Sequence, residues 1–390
     1  MNRRQFLSAT AAAAAIARAG GIASGAQAAA KKPTPVSDGI PPSRRRLLQL
    51  NGYAANAETP LDALTTYITP NDLFFVRSHW IPAYPSLKTW SLVVDGEVDR
   101  PREWKLADIK ALPRTTVTCV LQCSGNGRAL HRPAIPGVQW RYGAVGNARW
   151  TRVRVKDLLA RSGVKAGAKH LQTFGSDKPP EKVPPFHRSL ELEKVLEDGV
   201  LAFEMNGETL PQPHGAPLRL IVPGWTGNHW MKWITHLSPQ PEPQKGFYMD
   251  TAYRYPDKPG EPGVAFKPDE MHPVTELFVK SCFTDVPASA KVGSSVSVRG
   301  FAFSGAPDVS RVEVSEDQGQ TWKDAVLDNQ HDPWAWRLFT HRFTPSAPGP
   351  ATLLARATDS RGAVQPKEAV WNQSGYLHNG WHAAEIAVTA

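Results

Sequence analysis

The stretch Thr116-Val117-Thr118-Cys119-Val120-Leu121-Gln122-Cys123-Ser124-Gly125-Asn126-Gly127-Arg128 changes character halfway along. Its first half is β-branched and apolar, which reads as a buried strand. Its second half is a Gly-Asn-Gly turn closed by an arginine. If Cys119 and Cys123 share one strand, four steps of ~3.3 Å set them about 13 Å apart, past the ~7 Å reach of a disulfide. At least one thiol is therefore expected to be free, and Cys123 sits at the strand end. Loop N–H groups and a nearby cation favour a thiolate there. The residues leave four readings open: a structural buried cysteine, a reactive thiolate, a nucleophile paired with a histidine, or a single thiolate on a soft metal. No sequence feature singles out a histidine base.

Around this stretch, residues 61–250 read as a mixed α+β domain. Strands are expected at Trp90–Val94, Leu171–Phe174 and Leu218–Val222, and short helices at Leu106–Leu112, Val153–Leu159 and Leu192–Leu196. Residues 251–270 are rich in proline and glycine and read as a linker. Beyond it the pattern changes to period two, in Val296–Phe303, Val309–Ser315, Arg337–Phe343 and Ala351–Ala357. Turns at 8–12-residue spacing separate these runs, so residues 271–390 are expected to form an all-β, immunoglobulin-like sandwich. Residues 31–60 read as a poorly structured arm.

Residues 1–30 read as a twin-arginine export signal. Asn2-Arg3-Arg4-Gln5-Phe6-Leu7 precedes a weakly apolar, alanine-rich run and small residues suited to cleavage. A periplasmic location is expected, because this route carries folded proteins, often with a cofactor already inserted. The run is too short and too weakly apolar to span a membrane, and no stretch of ~20 apolar residues follows it.

The whole chain has 390 residues, 41% hydrophobic and 21% charged, with 30 glycines, 35 prolines and 13 tryptophans. That balance fits a globular, turn-rich protein and disfavours a helical bundle. The formal charge of +9 is modest, and apart from Arg44-Arg45-Arg46 the basic residues are interleaved with acids. A small anion or an acidic partner suits this better than nucleic acid. Three cysteines with no CxxCH and no four-cysteine spacing exclude covalent c-type haem, an iron–sulfur cluster and structural zinc.

The segment Leu121–Arg128 resembles the cysteine motif of the sulfite oxidase family of molybdenum enzymes. Gly143–Trp150, Ala202–Gly207 through Pro213–Arg219, and Val222-Pro223-Gly224 followed by Trp230-Met231-Lys232-Trp233 resemble the family's later segments. The C-terminal sandwich, with Trp371-Asn372 and Trp381-His382, resembles its dimerisation domain. The resemblance implies a molybdenum–molybdopterin cofactor with Cys123 as the metal thiolate and no haem. It implies cofactor contacts from Phe74, His79, Asp177, His214, Arg219, Trp230, Met231 and Lys232. It places Arg77, Arg128, Trp140 and Tyr253 at the substrate. Three departures stand out: Ser78 replaces an asparagine, Gly127 a second arginine, and Ser374 a pocket arginine of animal members.

Oxidation of sulfite to sulfate is the implied reaction, in a homodimer that passes electrons to a separate c-type cytochrome. On the same fold, a sulfane dehydrogenase subunit or a sulfoxide reductase is the alternative. An exported, non-catalytic binding protein is the alternative of another class.

Overall fold

The strand expected before Cys123 runs Arg114–Gln122, and its last five residues are buried. It pairs antiparallel with Val145–Arg154, which pairs in turn with Val200–Met205. Glu208–Thr209 and Arg219–Ile221 complete this sheet on Val200–Met205. The outer edge of Arg114–Gln122 is not left bare: the Val120 N–H donates to Trp334 O of the C-terminal domain at 2.8 Å. A covered edge of this kind explains why a strand at the sheet's border carries a continuous apolar run.

The computed structural model describes residues 45–51, 56–80 and 84–390. The export signal and most of the expected arm lie outside these residues. A second sheet of the first domain has the order Arg102–Trp104, Leu92–Val94, Ile234–Gln240, His170–Gly175, His187–Glu191. Helices Leu106–Lys110, Val155–Ser162 and Leu192–Asp198 are short. Val155–Ser162 begins later than the expected Val153, because Val153 and Arg154 pair with Leu201 and Val200. Trp104, Trp140, Trp150 and Trp230 are fully buried in one core, and each large apolar side chain so placed contributes about 1.5–3 kcal/mol.

Two expectations are corrected. The end of the arm is not unstructured: Leu48–Asn51 pairs with Asn56–Glu58, and the Ala57 N–H donates to Val76 O at 3.0 Å. The expected linker is partly ordered, since Arg254–Pro256 pairs with Met271–Pro273 and Tyr253 and Tyr255 are buried.

The C-terminal domain consists of two sheets. One has the order Lys280–Asp285, Val296–Phe303, Arg337–Phe343, Val326–Leu327; the other Ser289–Lys291, His382–Thr389, Gly349–Asp359, Val309–Ser315, Lys323–Asp324. Val298, Phe339, Val312, Val314, Leu353 and Ile386 meet in the core between them. A separate cluster joins the two domains through Tyr67, Val120, Val145, Phe301 and Trp336. There the Trp336 Nε1–H donates to Tyr67 O at 2.8 Å.

Candidate active site

Cys123 leaves the end of its strand with a free thiol, half-buried on the wall of a cleft that encloses about 720 Å³, open solvent included. Cys119, four residues back, is also free but wholly buried in the core, where burial pushes its thiol pKa up. The turn after Cys123 is held from several sides. Asn126 Nδ2 donates to Gln122 Oε1 and Tyr142 O, and Asn126 Oδ1 accepts from the Ala144 N–H. Two of its N–H groups, those of Asn126 and Arg128, are spent on Cys123 O and Gly125 O. The loop thus fixes the direction of the thiol through its own hydrogen bonds.

Arg77-Ser78-His79 also lines the cleft. Asn56 Oδ1 accepts from the Ser78 N–H at 3.0 Å and from Arg77 at 3.5 Å. His79 Nε2 and Tyr253 Oη are 2.9 Å apart. Burial, then the neighbouring Arg77, Lys232 and Arg188, hold His79 well below its usual pKa. A neutral imidazole in this setting serves as a hydrogen-bond partner, not a cation. Burial likewise pushes the Tyr253 hydroxyl up, so it remains a proton donor across the physiological range.

The far wall concentrates positive charge. Arg219 donates from one nitrogen to His214 O at 2.9 Å, and its Nε has no partner in the protein. Burial lowers its pKa to about 9. Lys232 Nζ donates to Ser78 Oγ at 3.1 Å and Pro213 O at 3.0 Å, and burial pulls it well below the ordinary lysine value. His214 falls to about 3, through burial and then the charges of Arg219 and Lys232. Among the described residues lining the cleft, Asp177 is the one carboxylate, and burial raises its pKa against the pull of Lys232.

Uncompensated cations in a protein interior are costly unless an anion joins them. Arg219 with its unpartnered nitrogen, Lys232 and the two neutral histidines therefore fit an anionic cofactor carrying a phosphate, held by charge-assisted hydrogen bonds. The Cys123 thiol on the same cleft fits a soft metal at the other end of that group.

Of the residues expected at the site, Arg77, His79, Cys123, Asp177, His214, Arg219, Trp230, Met231, Lys232 and Tyr253 line the cleft. Three others do not, and each has a physical reason. Phe74 turns into the core, where its ring takes the space that a side chain at Gly146 would fill: a Cβ there would sit 2.6 Å from the ring. Phe75 faces the cleft instead, and Phe74 meets only the edge of His214, at 5.5 Å. Trp140 is wholly buried, edge-on to Phe75 at 6.4 Å. Arg128 folds back from the cleft, donating through Nε to Ser374 O and through another nitrogen to Val138 O, both at 2.9 Å.

Gly127 has φ +94°, and a Cβ there would lie 2.6 Å from His378 Cβ. A second arginine at this place is sterically excluded by this backbone.

Sequence reasoning missed Phe186, Asn228 and Trp233 on the cleft wall. It also missed Arg188, a fully buried guanidinium 5.4 Å from the Tyr253 ring centre and within 3.4 Å of His229. Burial lowers its pKa to about 10. Only its position in a strand next to the Phe186 turn hints at a site role, and composition does not reveal that.

Residues 79–248 match the oxidoreductase molybdopterin binding domain, and residues 273–389 match the Mo-co oxidoreductase dimerisation domain. Over 374 residues the chain is 33% identical to the sulfite oxidase of Arabidopsis thaliana, covering 87% of this chain and 94% of that protein. It is 34% identical over 372 residues to the mitochondrial sulfite oxidase of Homo sapiens, covering 89% of this chain and 67% of that protein. The structure of the sulfane dehydrogenase SoxCD from Paracoccus pantotrophus aligns over 92% of this chain and 94% of that one, with 28% identity and a TM-score of 0.76. With its free thiol, its cation-lined cleft and its two domains in this order, the chain belongs to the sulfite oxidase family of molybdenum oxidoreductases.

Proposed function

We propose that this protein is an exported, molybdenum-dependent enzyme that oxidises sulfite to sulfate and passes the electrons to a separate c-type cytochrome. The observation that carries the reading is one cleft with the Cys123 thiol, the Arg77 guanidinium and the Tyr253 hydroxyl on its walls, backed by Arg219 and Lys232. The relatives named sulfite oxidase support the substrate. Export to the periplasm rests on the twin-arginine signature at residues 2–7. The separate acceptor rests on the lack of a CxxCH motif. The match to a dimerisation domain supports a homodimer.

When bound, the molybdenum cofactor supplies the oxo-transfer and two-electron redox chemistry. The chain's own residues do the rest. Arg219, Lys232, His214 and Asp177 would hold the polar end of the cofactor, and Cys123 would hold its metal. Arg77 offers a planar, permanently charged fork to a sulfur oxyanion. Tyr253 Oη, held against His79 Nε2, presents a hydrogen-bond donor to the same space. Burial among Phe186, Phe75 and Trp230 keeps bulk water from competing for these hydrogen bonds.

The second reading, a sulfane dehydrogenase, has its own observation: Arg128 is tied to two backbone carbonyls, so the cleft presents fewer free guanidinium groups to a small oxyanion. Similarity to the sulfane dehydrogenase structure supports it. Sulfite-dependent ferricyanide reduction by molybdenum-loaded protein separates the two. Turnover that falls by roughly a thousandfold in Cys123→Ser, the scale for losing a group at the reacting centre, is the expected result. Loaded protein that ignores sulfite but oxidises a protein-bound persulfide sulfur would move the assignment to the second reading.

A further inference from the structure

The C-terminal domain sends one segment, residues 372–378, back to the cysteine loop. Asn372 shapes it: Oδ1 accepts from the Tyr376 N–H and Nδ2 donates to Tyr376 O, each at 2.9 Å. Two bonds fasten it to the loop after Cys123. Arg128 Nε donates to Ser374 O at 2.9 Å, and the Leu377 N–H donates to Ser124 O at 2.9 Å. The segment's tip, Tyr376, is buried beside Tyr253, Val274 and Leu377.

Tyr376 lies almost parallel to Tyr253, with ring centres 5.4 Å apart and an angle of 8°. The Arg128 guanidinium lies 5.5 Å from the centre of the Tyr376 ring. Tyr253 needs this support, because its backbone is left-handed at φ +57°. A non-glycine residue in that region is held there by its surroundings. Its hydroxyl must nevertheless stay on His79 Nε2.

We propose that Tyr376 is a positioning residue, through which the C-terminal domain holds Tyr253 and its hydroxyl at the reacting centre. The ring stack fixes the plane of Tyr253. Arg128 then acts as the staple that seats Tyr376, which accounts for its bonds to Ser374 and Val138. The inference rests on the reading that Tyr253 faces the substrate only for its kinetic consequence; the structural part stands by itself.

Two variants, Tyr376→Phe and Tyr376→Leu, test it in the full-length, molybdenum-loaded protein. Phenylalanine keeps the stack; leucine removes it. Amide exchange at the peptide containing Tyr253 is expected to rise in Tyr376→Leu and to stay near wild type in Tyr376→Phe. Exchange across the sandwich strands Val296–Phe303 and Val309–Ser315 should stay unchanged. The kcat for sulfite is expected to fall about 10–100-fold in Tyr376→Leu, the range for a lost supporting contact, with KM within about twofold. Tyr376→Phe should recover most of that kcat.

Unchanged Tyr253 exchange in Tyr376→Leu overturns the proposal, whatever the substrate. A loss expressed in KM with kcat intact overturns it too, since that signature belongs to substrate binding. If the wild-type protein does not turn over sulfite, only the proposed function has failed, and the exchange result still decides the role of Tyr376.

Discussion

The two domains treat charge in opposite ways. On the sandwich, charged groups mostly meet ion-pair partners, exposed or part-buried: Arg356 with Glu313, Arg311 with Asp324, Lys323 and His341 with Glu316; buried Lys280, which donates to His378 O, departs from this. In the first domain, Arg188 and Arg219 are buried without a carboxylate, and His79, His214 and His229 are held neutral around them. Asp177 is the single acid among the described residues of the cleft wall. A domain that only has to fold can neutralise itself. A domain that leaves its cations unmatched is organised around something anionic that the chain does not provide, and its stability should depend on that ligand in ways the sandwich's does not.

The sharpest way to break this comparison is Arg219→Met. Removing an uncompensated buried charge is expected to leave the unloaded protein as stable as before, or more so by about 1–4 kcal/mol. The same change should cut the stability gained on cofactor loading by about 1.5–3 kcal/mol, the worth of a hydrogen bond to a charged group. Urea unfolding of loaded and unloaded protein reads both quantities. A variant equally destabilised in both states would mean that Arg219 is an ordinary structural arginine.

Acid should separate the domains next. A histidine whose folded pKa is depressed contributes stability that is complete above its unfolded value and is lost as pH falls below it. His214, lowered from 6.5 to about 3, with His79 and His229 lowered beside it, should therefore weaken the unloaded first domain progressively from pH 6.5 towards 3. On the sandwich, Asp317, hydrogen-bonded by Thr321 and Ser315, drops to about 2. Its contribution stays intact until pH falls below about 3.8. Histidines at the seam between the domains, His131 near 4 and His378 near 3, should follow the first domain. Peptide-resolved hydrogen exchange at pH 7.5 and 5 is expected to show opening around Val200–Met205 and the seam before Val309–Ser315. Cofactor loading should reduce the difference, because an anion beside His214 raises its folded pKa.

The same contrast explains what the sequence could disclose. The sandwich strands were legible because an alternating pattern is local, and Val296–Phe303, Val309–Ser315 and Arg337–Phe343 stand where period two puts them. The strand ending at Cys123 was legible for a similar reason: a β-branched run meets a glycine turn. The direction of Arg128 was not, since one of its acceptors, Ser374 O, lies 246 residues away. Phe74 and Phe75 sit in an irregular turn between strands, so no period says which ring enters the core. Arg188 and Tyr376 reach the site only through the packing of distant segments, Tyr376 from the other domain. Proline and glycine at 251–270 masked the pairing that anchors Tyr253. Local order was readable, whereas the convergence of five or more segments on one cleft was carried by the resemblance to a family.

The smallest effect is expected where the comparison says charge matters least. Lys323 Nζ meets Glu316 at 2.8 Å, but its side chain is 61% exposed. Water already solvates both charges there, and holding a long lysine in one rotamer offsets much of the Coulomb gain. Lys323→Ala should change unfolding stability by less than about 1 kcal/mol, and by the same amount with or without cofactor. Salt provides the cross-check, since screening should shrink even this difference, whereas the loading effect of Arg219, inside the protein, should survive moderate ionic strength. A cofactor-dependent effect at Lys323 would mean that the sandwich senses the cleft through its surface. The seam residues Tyr67, Val120 and Trp336 would then transmit more than packing.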